Sequence, residues 1–295
     1  MLLPTLILDC VPLVYCDAAS ANKINIDAAI KSILEDFNTP GGFGVAVVRK
    51  STQESDWIVE TKGYGVAKLD GTNATKDTLF AIGSNSKLFK ALATGLLISN
   101  ESFLTRISWK TKIASLVPEW GLMDPVASAE STIQDMMSHR TGLPRHGLIS
   151  LSDTVSEIIR RLRYLKPSAS FREIWQYNNH MYTLLSYFPP LLVGVSFEKH
   201  GNDFIIEPLD MHSTTYFSER AEKSGKLADG MMRDGVNQSE DLFGVGRVRA
   251  LPYWLPAKEN TGNVFFGAGG LISNADDMAI WLQALLNEGR HPINN

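Results

Sequence analysis

The chain has 295 residues, of which 44% are hydrophobic, and its formal net charge is -4. A chain of this length and composition can bury a sizeable core, as one large domain or as a domain with a subdomain, which argues against disorder. The negative charge and the lack of a run of Lys or Arg argue against nucleic acid and against an anionic membrane as partners.

The first residues are apolar and end in small side chains. Residues 1–15 are largely hydrophobic, and residues 18–21 supply the small residues that a signal peptidase accepts. No positive charge precedes the apolar run, however, and Asp9 interrupts it. We predict a signal peptide over residues 1–21 and a secreted protein. The alternative is a cytoplasmic protein whose N-terminal helix packs on the domain.

Both cysteines, Cys10 and Cys16, lie in this leader. The mature chain would therefore carry neither a disulfide nor a thiol nucleophile. The sequence contains no zinc-binding or phosphate-binding motif, and we expect neither a metal nor another cofactor. No apolar run after residue 20 is long enough to cross a bilayer, so we expect no stable membrane insertion.

The body of the chain begins with a helix and a hairpin. Residues 27–37 carry apolar side chains at helical spacing, and the sequence Asn-Thr-Pro-Gly-Gly at 38–42 ends that helix. Residues 43–49 predict a buried strand. Residues 57–66 predict its antiparallel partner, across a polar turn at 51–56.

A Ser-x-x-Lys sequence follows this hairpin. Ser84 and Lys87 come after a short apolar stretch and Gly83, at the start of an apolar helix. Side chains three residues apart share one face of a helix, so the Lys87 amine can reach the Ser84 hydroxyl and help remove its proton. We expect the helix to bury an apolar stripe made of Leu88, Ala91, Leu92, Leu96 and Leu97.

The same spacing occurs twice more, so the motif needs its context. Ser20 with Lys23 and Ser196 with Lys199 also match Ser-x-x-Lys. Neither pair has a comparable apolar helix behind it. We therefore predict that Ser84 is the nucleophile.

The middle of the chain has a mostly helical pattern. Residues 132–137, 151–165 and 180–193 are candidate helices, and the last is interrupted at Pro189 and Pro190. We predict an inserted helical subdomain over about residues 95–217.

The remaining residues fall into three parts. Residues 218–266 are polar and without a clear period, which predicts an extended excursion. Residues 267–275 predict a glycine-rich turn. Residues 276–287 predict an amphipathic helix.

Tyr177 and Asn179 are a second group of candidate residues. Two residues apart in a loop, both side chains could point into one site. Tyr177 could act as a general base beside nearby cations, and Asn179 could hydrogen-bond Lys87 or a substrate carbonyl. On its own, a tyrosine near a helix start is more often a packed aromatic residue, so its importance depends on the pairing with Ser84.

Four segments, in this order and spacing, carry a family resemblance. They are Gly-Ser-Asn-Ser-Lys at 83–87, Met-Ser-His-Arg-Thr-Gly-Leu-Pro at 137–144, Tyr-Asn-Asn at 177–179 and Gly-Gly-Leu-Ile-Ser-Asn-Ala-Asp-Asp-Met at 269–278. The chain resembles the class C β-lactamase-like serine hydrolases over about residues 24–290. That family includes class C β-lactamases, penicillin-binding proteins, D-aminopeptidases and several esterases.

The resemblance implies a β-lactamase/transpeptidase-like fold of the α/β (α+β) class. Its antiparallel sheet would be flanked by helices and would carry the inserted helical subdomain. Residues 24–295 would form this one domain. His139 occupies a structural position in the family, and we assign His146 and His180 structural roles as well.

The resemblance also implies a chemistry. Ser84 would attack a carbonyl, Lys87 and Tyr177 would take and return its proton, and Asn179 would hold Lys87 and the substrate amide. The substrate would be a small ester, lactone or amide, and it would pass through an acyl-serine intermediate. Gly269 and Gly270 would belong to the substrate-binding part of the site.

One family motif is not found where the resemblance would place it. The family carries Lys-Thr-Gly or His-x-Gly on a strand well after the Gly269–Gly270 turn. The similar Lys223-Ser224-Gly225 precedes that turn, in a polar stretch, and we do not assign it. We therefore expect an incomplete family member that lacks C-terminal sheet strands, is poorly stable and is weakly active or inactive.

Three hypotheses follow for the function. The favoured one is a serine hydrolase, which could be an esterase, an amidase or β-lactamase-like. The second is an inactive, penicillin-binding-like protein that binds a ligand without turnover. The third is a degenerate copy in which Ser84 only caps its helix and Lys87 pairs with a surface carboxylate.

Overall fold

The computed structural model describes residues 25–50, 57–100, 106–147, 150, 152–235, 244–259 and 262–291. The leader predicted for residues 1–21 and the polar turn predicted at 51–56 lie outside the described residues. Of the helices that the structure describes, none is long and apolar enough to cross a membrane.

The predicted helix and hairpin at the start of the body are confirmed. Helix α1 (Ile26–Asp36) begins at Asn25, whose side chain accepts a hydrogen bond from the Ala28 N–H. Strands β1 (Gly42–Lys50) and β2 (Trp57–Gly65) then pair antiparallel along their whole length. The prediction that this first strand is buried was wrong, because every residue of β1 keeps part of its surface exposed.

The candidate nucleophile lies between a short strand and a long helix. Strand β3 (Phe80–Ala81) leads into a 3-10 turn over Gly83–Asn85, and helix α2 (Ser86–Ser99) follows directly. Gly83 has a φ of 52°, a left-handed conformation that glycine adopts without steric cost.

The buried face of α2 differs from the predicted apolar stripe. Leu88 and Leu92 are each 37% exposed. The buried side chains of the helix are instead Ser86, Lys87, Phe89, Lys90, Ala93, Thr94 and Leu97. Of the predicted stripe only Leu97 is buried. The rest of the prediction was wrong because distant segments of the chain pack against the face that carries the two lysines, whose stems are themselves apolar.

A group of short helices follows. They are α3 (Pro125–Glu130), α4 (Ile133–Met137), α5 (Val155–Arg161), α6 (Asn179–Leu185), α7 (Phe188–Val193) and α8 (Phe197–Gly201). The helix predicted at 180–193 breaks at Ser186 and Tyr187 rather than at the prolines. Pro189 and Pro190 lie in the first turn of α7, where a missing N–H leaves no hydrogen bond unmade.

The helix predicted at 151–165 is shorter in the structure. Thr154 and Glu157 form a capping box that starts α5, and a 3-10 turn over Leu162–Tyr164 follows its end. The division of the chain into a domain and a helical subdomain stays a prediction.

The prediction of an irregular excursion over 218–266 was wrong. This part contains helix α9 (Ser218–Lys223) and an antiparallel pair of strands, β4 (Gly230–Arg233) and β5 (Val248–Leu251). Lys223 ends α9 at the surface and pairs with Glu219 at 2.9 Å. The pairing of two short strands depends on a partner elsewhere in the chain, which local patterns do not reveal.

Regular structure also replaces much of the predicted glycine-rich turn. Helix α10 (Phe266–Gly269) is followed by strand β6 (Ile272–Ser273), which pairs antiparallel with β3. Asn274 then caps α11 (Ala275–Leu286), which confirms the last predicted helix. The β3–β6 pair brings the Gly269–Gly270 segment to the turn that carries Ser84.

Helix α2 lies between two buried clusters. Leu97 belongs to the first, together with Ile133 and Met181 from the short helices. Phe89 belongs to the second, where its ring stacks on Trp281 of α11 at a centroid distance of 4.0 Å. The helix that starts at the candidate nucleophile is therefore anchored on two sides.

The described strands pair in twos, as β1 with β2, β3 with β6 and β4 with β5. The α/β (α+β) class and the antiparallel pairing agree with the sequence-based expectation. The expectation that further sheet strands are missing stays a prediction, as does the low stability inferred from it.

Lys90 is an unusual member of the core. Its side chain is fully buried, and its amine has no hydrogen-bond partner among the described residues. The nearest favourable contact is the Phe197 ring, whose centroid lies 4.4 Å from the amine. Burial therefore lowers the pKa of Lys90 well below its ordinary value of 10.5.

We predict that Lys90→Met stabilises the protein by about 1–3 kcal/mol at pH 7, because it removes an unpaired buried amine and keeps the stem volume. Below pH 10.5 the unfolded chain binds a lysine proton that the folded chain resists, so the gain grows as pH falls and shrinks towards pH 10.5. Urea unfolding at pH 7 and pH 10 measures both effects.

Lys199→Met is the matched control for this experiment. Lys199 is 61% exposed and pairs with Asp203 at 2.7 Å, so we expect a change within about 0.5 kcal/mol. A loss of stability in Lys90→Met, or a gain that does not depend on pH, would contradict the prediction.

Candidate active site

Ser84 is exposed at the start of α2, and hydrogen bonds fix the turn that presents it. The Ser86 hydroxyl donates to the Gly83 carbonyl at 2.7 Å and accepts from the Leu271 N–H at 3.0 Å. The Ile82 N–H donates in turn to the Leu271 carbonyl at 3.0 Å. The turn is therefore held to the Gly-Gly-Leu segment that follows α10.

The structure brings the predicted residues Ser84, Lys87, Tyr177 and Asn179 together. The Ser84 Oγ lies 2.5 Å from the Tyr177 hydroxyl and 3.4 Å from the Lys87 Nζ. Tyr177 comes from the loop before α6, at a separation of 93 residues from Ser84. One hydroxyl thus contacts two groups that can exchange its proton.

The Lys87 amine is held by two acceptors. It donates to the Asn179 Oδ1 at 2.9 Å and to the Ala268 carbonyl at 2.5 Å. The rings of Tyr177 and Tyr182 lie near it, with centroids at 4.8 and 5.2 Å. The contacts join the start of α2 to α6 and α10.

The side chain of Lys87 is buried, and no carboxylate forms an ion pair with it among the described residues. Burial, and secondly the charge of Arg145, lowers the pKa of Lys87 to about 8. A neutral amine is therefore accessible near physiological pH, which an exposed lysine does not offer.

His139 lies behind Tyr177 rather than at the nucleophile. Its ring contacts those of Tyr177 and Tyr182, with centroids 4.7 and 5.2 Å away, and its Nδ1 accepts from the Asn178 N–H at 3.1 Å. Burial, and secondly the charge of Lys87, lowers the pKa of His139 to about 4. The ring is thus neutral at physiological pH, and it packs against the Tyr177 ring.

The residues on either side of Tyr177 are also anchored. The Gln176 N–H donates to the His139 carbonyl at 2.8 Å, and the Asn178 side chain donates to the Pro144 carbonyl at 2.7 Å. These bonds fix the position of the Tyr177 backbone. The Ser-His-Arg-Thr-Gly-Leu-Pro segment therefore forms the support of this loop.

The rings of the other two histidines discussed above contact backbone carbonyls, and that of His146 lies 2.9 Å from the Lys166 carbonyl. The His180 Nε2 lies 2.7 Å from the His146 carbonyl, and burial is the main cause that lowers the pKa of His180. Among the described contacts, neither ring is paired with Ser84 or Lys87.

The glycines before β6 allow close packing at the site. A Cβ added to Gly269 would lie 3.6 Å from the Gly83 carbonyl, whereas one added to Gly270 would lie 2.8 Å from the Phe266 ring. Gly267 is tighter still, since a Cβ there would lie 2.1 Å from the Ser186 hydroxyl. Close passage of this backbone brings the Ala268 carbonyl to Lys87.

Two groups at the site were not found from the sequence. The Ala268 carbonyl belongs to the backbone, so no side-chain pattern marks it. Arg145 follows directly on the Gly-Leu-Pro segment, and its Cζ lies 5.9 Å from the centroid of the Tyr177 ring. Its position directly after the segment 137–144 was the sequence feature that could have marked it as a site residue.

The other described Ser-x-x-Lys sequence has a purely local role. The Ser196 hydroxyl caps α8 by accepting from the Lys199 N–H at 3.3 Å, and the Lys199 amine pairs with Asp203. The pair at Ser20 and Lys23 lies outside the described residues. Groups of three or more His, Cys, Asp and Glu that could hold a metal are absent from the part of the chain that was searched.

The family model described as Beta-lactamase matches residues 26–292 of the chain. The chain belongs to the β-lactamase family. The predicted membership of the β-lactamase-related family is thereby confirmed.

Named relatives include hydrolases. The chain is 34% identical over 265 residues to the unguisins hydrolase ungD' of Aspergillus campestris, a match that covers 87% of this chain and 46% of that protein. It is 31% identical to the unguisins hydrolase ungD of Aspergillus violaceofuscus, over 83% of this chain and 42% of that protein. The chain thus spans less than half the length of these two relatives.

Two solved structures show the same fold. The octameric penicillin-binding protein homologue from Pyrococcus abyssi aligns with a TM-score of 0.73 at 22% identity, over 91% of this chain and 57% of that one. The class C β-lactamase from Rhodobacter sphaeroides aligns with a TM-score of 0.64 at 23% identity, over 90% of this chain and 66% of that one. The predicted β-lactamase/transpeptidase-like fold is confirmed.

We predict that His139→Phe destabilises the protein by about 1–3 kcal/mol, because the Asn178 N–H loses its acceptor in a buried place. Displacement of Tyr177 should also slow reaction of Ser84 with a fluorophosphonate about tenfold or more. Urea unfolding and the rate of labelling measure the two effects.

His212→Phe serves as the control, since the side chain of His212 is 71% exposed. Normal labelling and stability in His139→Phe would show that the ring does not support Tyr177.

Proposed function

We propose that this protein is a serine hydrolase that acts through an acyl-serine intermediate, with Ser84 as the nucleophile. The contact of the Ser84 hydroxyl with both Tyr177 and Lys87 carries the proposal. The relatives named as hydrolases support hydrolysis as the reaction.

The proton of Ser84 has a defined route in this proposal. A neutral lysine has two N–H bonds and one lone pair, and the Asn179 Oδ1 and the Ala268 carbonyl accept those two bonds. The lone pair is left for the proton of Ser84, which reaches it directly or through the Tyr177 hydroxyl. A pKa of about 8 for Lys87 suits a group that must accept and return a proton near neutral pH.

Attack by Ser84 then forms a bond from its Oγ to the substrate carbonyl carbon, and the carbonyl electron pair moves to the oxygen. Ser84 lies in the 3-10 turn that leads into α2, and its own backbone N–H can hold that oxyanion. Lys87 or Tyr177 returns the proton to the leaving group as its bond to carbon breaks. Water repeats the sequence on the acyl-serine and releases the acid.

Two exposed tryptophans lie beside residues of the candidate site. Trp175 is 60% exposed and its ring lies 6.0 Å from that of Tyr177. Trp254 is 48% exposed and lies against Gly269, which packs on Gly83. Large apolar surfaces beside Tyr177 and Gly269 favour a small ester, lactone or amide with an apolar part as the substrate.

We predict that a fluorophosphonate labels the protein at Ser84 and that Ser84→Ala abolishes the label. Ser196→Ala is the matched control, because Ser196 has the same Ser-x-x-Lys spacing but only caps α8, and it should label like the wild type. Mass spectrometry of the intact protein and of its peptides locates the label. Absence of label on Ser84, together with binding of an ester, would instead favour the inactive ligand-binding hypothesis.

We predict that the rate of Ser84 labelling rises with pH through a midpoint of about 8, because the protonated Lys87 amine below that pH cannot accept the serine proton. Lys87→Met should slow labelling by about 10²–10⁴-fold and remove the rise of the labelling rate with pH. Rates measured between pH 6 and pH 10 test the prediction.

Lys199→Met keeps the catalytic amine and should show the wild-type profile. If the labelling rate of Lys87→Met still rises through pH 8, another group accepts the proton.

A further inference from the structure

Arg145 is a cation beside Tyr177 that has no counter-charge among the described residues. Its side chain is exposed, and within the described ranges no hydrogen bond or ion pair engages its guanidinium group. The guanidinium lies 5.9 Å from the centroid of the Tyr177 ring, whose hydroxyl contacts Ser84. A substrate bound at Ser84 would therefore have Arg145 within reach of its more distant atoms.

Other arginines near this loop are already engaged. Arg140 donates to the Arg172 carbonyl, Arg172 pairs with Asp135 at 2.7 Å, and Arg161 pairs with Asp153 at 2.6 Å. Arg145 differs from them because, among the described contacts, no hydrogen bond or ion pair engages its planar fork of donors. Such a fork matches the two oxygens of a carboxylate.

The charges of the site have one sign. Lys87 and Arg145 are its basic groups, and Arg145 is close enough to help lower the pKa of Lys87. Among the described residues no carboxylate forms an ion pair with either group. The positive potential at the mouth therefore lacks a counter-charge from the protein, and a substrate could supply it.

We propose that Arg145 binds a carboxylate of the substrate, so that the preferred substrates are esters or amides that carry an anionic group several atoms from the carbonyl under attack. The inference rests on the proposed function of Ser84. It adds that substrate selection depends on charge as well as on the apolar surfaces of Trp175 and Trp254.

The turnover experiment compares matched pairs of esters. One pair is the mono-p-nitrophenyl ester of adipic acid and its ω-methyl ester, with the charge on the acyl side. The other is 4-acetoxybenzoate and its methyl ester, with the charge on the leaving group. We expect the anionic member of at least one pair to have about tenfold higher kcat/KM, and the ratio to fall in 1 M salt.

Variants of Arg145 test whether this residue causes the ratio of kcat/KM between the anionic ester and its methyl ester. Arg145→Met should bring the ratio to about one, and Arg145→Lys should keep an intermediate ratio because the charge remains without the fork. Lys166→Met and Arg160→Met are matched controls: both side chains are exposed, and both variants should keep the wild-type ratio. A wild-type ratio near one, or loss of the ratio in Lys166→Met but not in Arg145→Met, would overturn the proposal.

A binding experiment tests Arg145 without turnover. Calorimetry on the Ser84→Ala protein compares the mono-anilide of adipic acid with its methyl ester, and 4-acetamidobenzoate with its methyl ester. The anion should bind about tenfold tighter in one of these pairs, and Arg145→Met in the same background should remove the difference. Equal binding in both pairs overturns the role of Arg145, whereas failure of Ser84 labelling in the wild type overturns the hydrolase proposal.

Discussion

The rest of the site depends on the buried amine of Lys87 and its two acceptors. The Asn179 Oδ1 and the Ala268 carbonyl hold the amine from two elements that lie far from it in the chain. Because both acceptors are neutral, they orient the amine without supplying the negative charge that would favour its protonated form. Burial then lowers the pKa of Lys87 to about 8, and the same arrangement leaves the amine near the Ser84 hydroxyl.

Burying lysine side chains on the inward face of α2 lowers the stability of the folded protein. The hydrogen bonds of Lys87 offset the cost of burying its amine. Lys90, one turn further on, has only an aromatic ring beside its amine. Hydrophobic clusters on either side, with Phe89 stacked on Trp281, hold the helix in place despite this cost. The start of the helix is thus rigid enough to present Ser84 at an exposed turn, which a reacting group needs.

Membership of the β-lactamase family and the geometry of the site both support the proposed hydrolysis. They support different parts of the proposal. The family match extends over most of the chain, whereas the likeness to the solved structures, at 22% and 23% identity, concerns the fold. The roles proposed for Ser84, Lys87 and Tyr177 rest on distances between side chains of this protein. Arg145 illustrates the difference, since the role proposed for it follows from its charge beside Tyr177 rather than from any named relative.

Local signals in the sequence determined the first helix and hairpin, the last helix and the four ordered segments that contain Ser84, Lys87, Tyr177 and Asn179. Caps, turns and helical spacing act over a few residues and can be read directly. Tertiary structure decided which face of α2 is buried, which strands pair and which backbone carbonyl receives the Lys87 amine. These depend on segments distant in the chain, and a carbonyl such as that of Ala268 is common to every residue, so no local pattern could have singled it out.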